Sequence, residues 1–125
     1  MKKLLFITTF VLALAMLLAA CGGGGDTAGG GDDVSAGKEL FAKVVIGTQA
    51  GCSTCHSLDA GTVIVGPSID GVGSRLSADE LRESILDPNA VLVEGFPADT
   101  MPPVWADELS GEQVDQLVAY LLTLK

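Results

Sequence analysis

The chain has 125 residues, 48% hydrophobic and 5% aromatic, with 16 Gly and a formal charge of -9; that length allows one small domain. The charge argues against nucleic acid as a partner, because phosphate binding draws on clustered Lys and Arg, and the seven basic residues form no cluster beyond Lys2-Lys3. A multispan membrane protein is excluded as well, since no apolar run after Leu4–Ala20 approaches the roughly 20 residues of a spanning helix.

Residues 1–20 hold 16 apolar residues and only two charges, Lys2 and Lys3, the pattern of a secretory signal closed by small residues. Leu18-Ala19-Ala20-Cys21 resembles the lipobox of bacterial lipoproteins, which implies lipid on the Cys21 sulfur, cleavage before it and acylation of the new amino terminus. Ordinary cleavage leaving a free thiol and an uncleaved anchor are the rival readings; the second is weakened by the short apolar run and by Thr8-Thr9 within it. Two or more acyl chains hold a protein stably where one is marginal. Residues 22–33, GGGGDTAGGGDD, contain no apolar residue larger than Ala28 and read as a flexible tether reaching roughly 20 Å on average and at most about 40 Å.

From Val34 the pattern turns helical, and residues 34–125 are read as one all-α domain. Leu40, Phe41, Val44 and Val45 make an apolar stripe with Asp33 or Ser35 as candidate caps, predicting a first helix that ends at Gly47. Ser77-x-x-Glu80 is a capping box for a second helix carrying Leu81, Ile85 and Leu86 and stopped by Pro88. Ser110-x-x-Gln113 caps a third, with Val114, Leu117, Val118, Leu121 and Leu122 on one stripe to the chain end. The connections Gly47–Arg75 and Pro88–Leu109 are long and rich in Gly and Pro. Such loops in so small a domain call for support other than side chains, and a buried prosthetic group would supply it.

Cys52-Ser53-Thr54-Cys55-His56 is C-x-x-C-H, the attachment signature of c-type haem. Two cysteines three apart on a helical turn can each form a thioether with one vinyl group, while the adjacent histidine projects under the ring to bind iron. A dithiol redox site expects a βαβ context that is missing here and leaves His56 unexplained. Structural zinc needs four ligands, and after Cys21 the chain has two Cys and one His. The sixth iron ligand follows by elimination. Met101 is the only methionine after Cys21, there is no second His, and the prolines at 102 and 103 stiffen the strand that presents it. A gap-filling core Met is the competing reading. A His/Met pair raises the potential and fills both axial positions, which disfavours oxygen activation.

These residues resemble the class I monohaem cytochromes c over almost all of residues 34–125. Gly37-Lys38-Glu39-Leu40-Phe41 looks like the family's first helix and Leu117-Val118-Ala119-Tyr120-Leu121 like its last, which implies that the two cross with Tyr120 close to Gly37. Gly66-Pro67 matches the proximal loop, which implies that the Pro67 carbonyl accepts the other ring N–H of His56. The segment from Arg82 to Pro88, with Glu94-Gly95-Phe96-Pro97 before Met101, is similar to bacterial membrane-attached cytochromes c and to the cytochrome domains of some haem-copper oxidases. The chain lacks the lysine ring of the mitochondrial form, so that docking mode is not carried over. A steering partner should be basic, or docking should rely on apolar contact around the haem edge.

Trp105 is read as core packing in preference to a propionate donor, Arg75 as a solvated surface residue, and Asp107-Glu108 as an acidic lead into the last helix. The resulting expectation is a non-enzymatic one-electron carrier, exported and lipid-anchored, with no small-molecule substrate. It would hold one haem c through Cys52 and Cys55 and iron through His56 and Met101, and exchange electrons with respiratory or photosynthetic membrane complexes, with a terminal oxidase as one candidate acceptor. The alternative is a haem enzyme or gas sensor in which Met101 is displaceable.

Overall fold

The computed structural model describes residues 30–125. The expected signal peptide of residues 1–20, the lipid-bearing Cys21 and the tether as far as residue 29 lie outside the described residues. No helix among the described residues is long and apolar enough to cross a membrane.

Helix α1 spans Gly30–Ala42. It starts before the expected caps, Asp33 and Ser35, so the last four residues assigned to the tether are helical. Asp32 and Asp33 sit in its first turn, where carboxylates favour the positive end of the helix dipole, and Val34 packs on the core. The helix also stops five residues short of Gly47. Val44 and Val45, expected on its buried stripe, are 70% and 60% exposed instead. The β-branched run Val44-Val45-Ile46 is taken into a hairpin, β1 (Val45–Ile46) pairing antiparallel with β2 (Gln49–Ala50), in register Val45 to Ala50 and Ile46 to Gln49. Gly47 supplies the positive φ of +56° that its turn requires.

The expected loops contain three one-turn helices: α2 (Cys52–Cys55), α3 (Val72–Arg75) and α5 (Trp105–Glu108). The other two helices begin where their capping boxes place them. In α4 (Ala78–Leu86) the Ser77 hydroxyl accepts the Glu80 N–H, and the Glu80 carboxylate accepts the Ser77 N–H at 2.8 Å. In α6 (Gly111–Leu121) Ser110 and Gln113 do the same, at 3.2 and 2.9 Å. Each pair satisfies two of the amides that a helix start leaves open.

α6 is the spine of the core, with Val114 and Leu117 fully buried. It packs most extensively against α1 and next against α4. The α1–α6 crossing turns on Gly37, where a Cβ would stand 1.9 Å from the Gln116 carbonyl oxygen and 2.9 Å from Tyr120 Cβ. Beside it the Phe41 and Tyr120 rings meet at 5.8 Å between centroids, tilted by 51°. The expected all-α fold with first and last helices crossing is therefore the fold observed, with the small hairpin added.

The last helix ends at Leu121, not at the chain end, because its final residues are used elsewhere. The Leu124 carbonyl accepts the Gly73 N–H at 2.9 Å, and the Lys125 ammonium donates to the Gly73 carbonyl. A Cβ at Gly73 would meet the Leu122 carbonyl oxygen at 2.5 Å, so glycine lets α3 lie against this tail.

Candidate functional site

Helices α1, α4, α5 and α6 and the loops between them enclose a cavity of about 530 Å3 whose wall includes Phe41, Val72, Leu81, Ile85, Leu117 and Leu121. That volume falls within the range of cofactor sites, about 300–1,000 Å3. Cys52, Cys55, His56, Pro67 and Met101 all line it. The structure thus brings together every residue of the domain that the sequence assigned to the cofactor.

The hairpin delivers the two cysteines. The Val44 carbonyl accepts the Gly51 N–H at 2.8 Å and the Thr54 hydroxyl at 3.3 Å, holding the chain on both sides of the first cysteine. Gly51 passes so close to α1 that a Cβ there would be 1.9 Å from the Lys43 carbonyl oxygen. α2 follows at once and sets Cys52 and Cys55 one helical turn apart, both free thiols and both half-buried. Burial pushes the Cys52 thiol above its ordinary pKa, with a smaller upward push from Cys55 and an opposing backbone hydrogen bond.

His56 leaves α2 in an extended conformation, and an isolated bridge pairs it with Val63. The Cys55 carbonyl accepts the N–H groups of Val65 and Gly66 at 3.2 and 2.9 Å, folding the proximal loop back under the ring. His56 Nδ1 lies 2.9 Å from the Pro67 carbonyl oxygen, which can only accept. The Nδ1 proton is therefore directed to Pro67, and Nε2 carries the lone pair that a metal needs. Gly66 stands against the face of the imidazole, where a Cβ would meet His56 Cε1 at 2.5 Å. The geometry inferred from the resemblance for Gly66-Pro67 is thus present.

Met101, half-buried and packed on the core, arrives on the same cavity at the end of the second long loop. That loop is closed by a pair the sequence reading missed. Asn89 Nδ2 donates to Asp99 Oδ1 and the Asp99 N–H donates to Asn89 Oδ1, both at 2.9 Å, while Asp99 takes a φ of +61°. Asp tolerates this left-handed conformation better than most side chains. The Thr100 hydroxyl then bonds the Pro97 carbonyl at 2.8 Å, setting the turn from which Met101 emerges. Only the turn-forming character of Asn and Asp hinted at this clamp, because a ten-residue separation matches no helical or strand period.

Trp105 is core, as expected, at 4% exposure, but its Nε1 is buried with no hydrogen-bond partner among the described residues. A buried unpaired donor costs about 1–3 kcal/mol. Since Trp105 lines the cavity, an acceptor on a cavity-bound group would answer it, and the propionates of a haem are such acceptors. Arg75 is exposed, as expected, and its guanidinium donates to the Asp70 carbonyl. Asp107 and Glu108 are not a lead into α6. They end α5, and the Glu108 carboxylate accepts the Thr48 N–H at 3.1 Å and the Thr48 hydroxyl, latching the hairpin turn to that helix. The fold puts these residues together across 60 positions of sequence, so no local pattern announced the contact.

A cavity walled by apolar side chains, two free thiols at its rim, an imidazole with Nε2 available and an unsatisfied indole N–H together fit a haem. No curated protein matches the chain. The cytochrome c family model matches residues 34–125, which is most of the sequence and the whole of the domain read from it. The chain belongs to the cytochrome c family, and binds haem c covalently through Cys52 and Cys55.

Proposed function

We propose that the chain is a one-electron carrier tethered to a bacterial membrane, with His56 and Met101 as the axial ligands of its iron and Pro67 orienting His56. Electron transfer is the role that membership of the cytochrome c family suggests, and the bound iron supplies it by gaining and losing one electron. The chain's residues make that exchange cheap. The Pro67 carbonyl holds the imidazole in one tautomer, the apolar wall would limit water at a bound haem, and the Met101 thioether on the same cavity would hold the iron together with His56 and leave no open site for a substrate. The observation that carries this reading is the His56–Pro67 hydrogen bond on one side of a cavity that also receives Met101, the only methionine among the described residues.

On this reading the protein is exported, Cys21 bears lipid, and the Gly-rich segment lets the domain move near its donors and acceptors. These are membrane complexes of a respiratory or photosynthetic chain, a terminal oxidase among them. Confinement raises their effective concentration without a new contact. Visible spectra of the purified holoprotein, oxidised and reduced, with carbon monoxide added to the reduced form, test the ligand set. Low-spin bands, the weak far-red band of methionine ligation and no response to carbon monoxide are expected. Ready binding of carbon monoxide would make Met101 displaceable and put a haem enzyme or gas sensor in its place. Replacing Cys21 with Ser should release a redox-competent protein into the soluble fraction; a variant that stays on membranes after a high-salt wash would refute the lipid tether.

A further inference from the structure

The residues that face the cofactor reach the cavity on separate stretches of chain: His56 and the two cysteines on residues 43–75, Met101 on residues 88–109. Among the described residues, the only hydrogen bonds between these two stretches are those from Thr48 to Glu108. The Thr48 N–H donates to one carboxylate oxygen at 3.1 Å and the Thr48 hydroxyl donates to the other. The hairpin turn is shaped for that carboxylate. A Cβ at Gly47 would overlap it, and the Gln49 side-chain amide donates to the Thr48 hydroxyl at 3.1 Å, which leaves the hydroxyl proton for Glu108.

The link is stiff on both sides. Between Thr48 and Cys52, β2 is paired within the hairpin and the Gly51 N–H is bonded to the Val44 carbonyl. Between Met101 and Glu108 stand Pro102 and Pro103, whose φ is fixed, and α5, where the N–H groups of Asp107 and Glu108 bond the Val104 carbonyl at 3.0 and 3.2 Å. Trp105 and Leu109 anchor this turn in the core from within, and Glu108 ties it from outside.

We propose that Glu108 is a positioning residue for the Met101 thioether: through Thr48 it ties the stretch that carries Met101 to the stretch that fixes the haem, and so resists displacement of the thioether by ligands from solution. The inference rests on the axial-ligand reading above. With φ fixed at two of the intervening residues, Met101 is drawn from the cavity most readily by moving α5, and that movement breaks both Thr48 bonds. Their contribution therefore adds to the cost of displacing Met101, over and above what they add to the stability of the fold. Thr48 is exposed and Glu108 half-buried, so water competes for these bonds and the effect is modest.

Imidazole titrated into the oxidised holoprotein tests this, with loss of the weak far-red band of methionine ligation as the readout. Imidazole nitrogen replaces the thioether without change of oxidation state, so its affinity reports how firmly Met101 is held. In Glu108→Ala the half-displacing concentration should fall roughly threefold to tenfold. Thr48→Val, which loses the hydroxyl and keeps the N–H, should lie between that variant and wild type, and Thr48→Ser should restore the wild-type value. Ser77→Ala is the comparison, since it weakens the fold at the α4 capping box and touches neither stretch; it should stay within about twofold of wild type. Wild-type affinity in both Glu108→Ala and Thr48→Val would overturn the positioning role, and so would an equal fall in Ser77→Ala, because global stability would then account for it. Absence of the far-red band from the wild-type protein would overturn the ligand reading and this role with it, whereas a normal band with unaltered affinities in the variants would overturn this role alone.

Discussion

Gly37→Ala adds one methyl group at the point where α1 and α6 cross. The added carbon would stand 1.9 Å from the Gln116 carbonyl oxygen, against ordinary contact from 3.4 Å, so the helices must separate by about 1.5 Å or the backbone must distort. Overpacking costs about 1–3 kcal/mol, and the upper end applies because the obstacle is backbone and not the tip of a flexible side chain. Alanine recovers about 0.5–1 kcal/mol through helix propensity, leaving a net loss of about 2 kcal/mol. For a domain of this size that corresponds to a fall in Tm of roughly 8–16 °C. Thermal unfolding of the holoprotein, followed by far-ultraviolet circular dichroism, measures it. Gly31→Ala is the control, since it lies in the same helix with nothing within 4 Å of the new carbon, and it should be neutral or slightly stabilising. A Tm for Gly37→Ala within about 3 °C of wild type would refute the close crossing and the size of this estimate.

Gly66→Ala presses a methyl group on His56 at 2.5 Å and should tilt the ring away from Pro67. Potentiometric titration should then show a shifted midpoint and reduced spectra should show carbon monoxide binding; wild-type behaviour in both would mean that the ring can tilt without losing its ligand role. Ser77→Ala removes the hydroxyl of the α4 capping box and should lower stability by about 1 kcal/mol, read as a lower denaturant midpoint at unchanged slope. The Thr48 side-chain hydrogen bond, followed by the Thr48 backbone bond, holds Glu108 below the usual carboxylate range, against a small opposing effect of burial. A carboxylate depressed in the folded state contributes stability that is present above its unfolded value, about 4.3, and lost as pH falls through its folded one. Unfolding titrated from pH 6 downward should therefore show Glu108→Gln less stable than wild type at the start, with the gap closing at the acid end; a constant gap would refute the latch. Glu80, held low by its Ser77 backbone and side-chain bonds, acts in the same direction and remains in both proteins.

Local chemistry was enough to locate the starts of α4 and α6 and the attachment point of the cofactor. Capping boxes at Ser77 and Ser110 work through residues three apart, and C-x-x-C-H puts its chemistry within five residues, so neither depends on the rest of the chain. Composition likewise distinguished the apolar run of residues 4–20 and the Gly-rich stretch after it from the residues that supply the core. The same local reasoning misread residues 43–47. Val44 and Val45 continue an apolar period, yet the positive φ at Gly47 and the needs of Gly51 turn them into a hairpin, with their side chains outside.

Tertiary structure alone decided how the site is held. The Thr48–Glu108 latch spans 60 residues, the Asn89–Asp99 clamp closes a loop with no period, and the chain end is folded back onto Gly73. Each joins groups whose proximity depends on the whole path of the chain, and none leaves a repeating pattern along it. The orphaned Trp105 Nε1 is of the same kind, because an indole N–H becomes costly only once burial has removed every competing water. Residue types within one helical turn thus specified the cysteines that hold haem, and long-range packing specified the cavity and the ring tautomer.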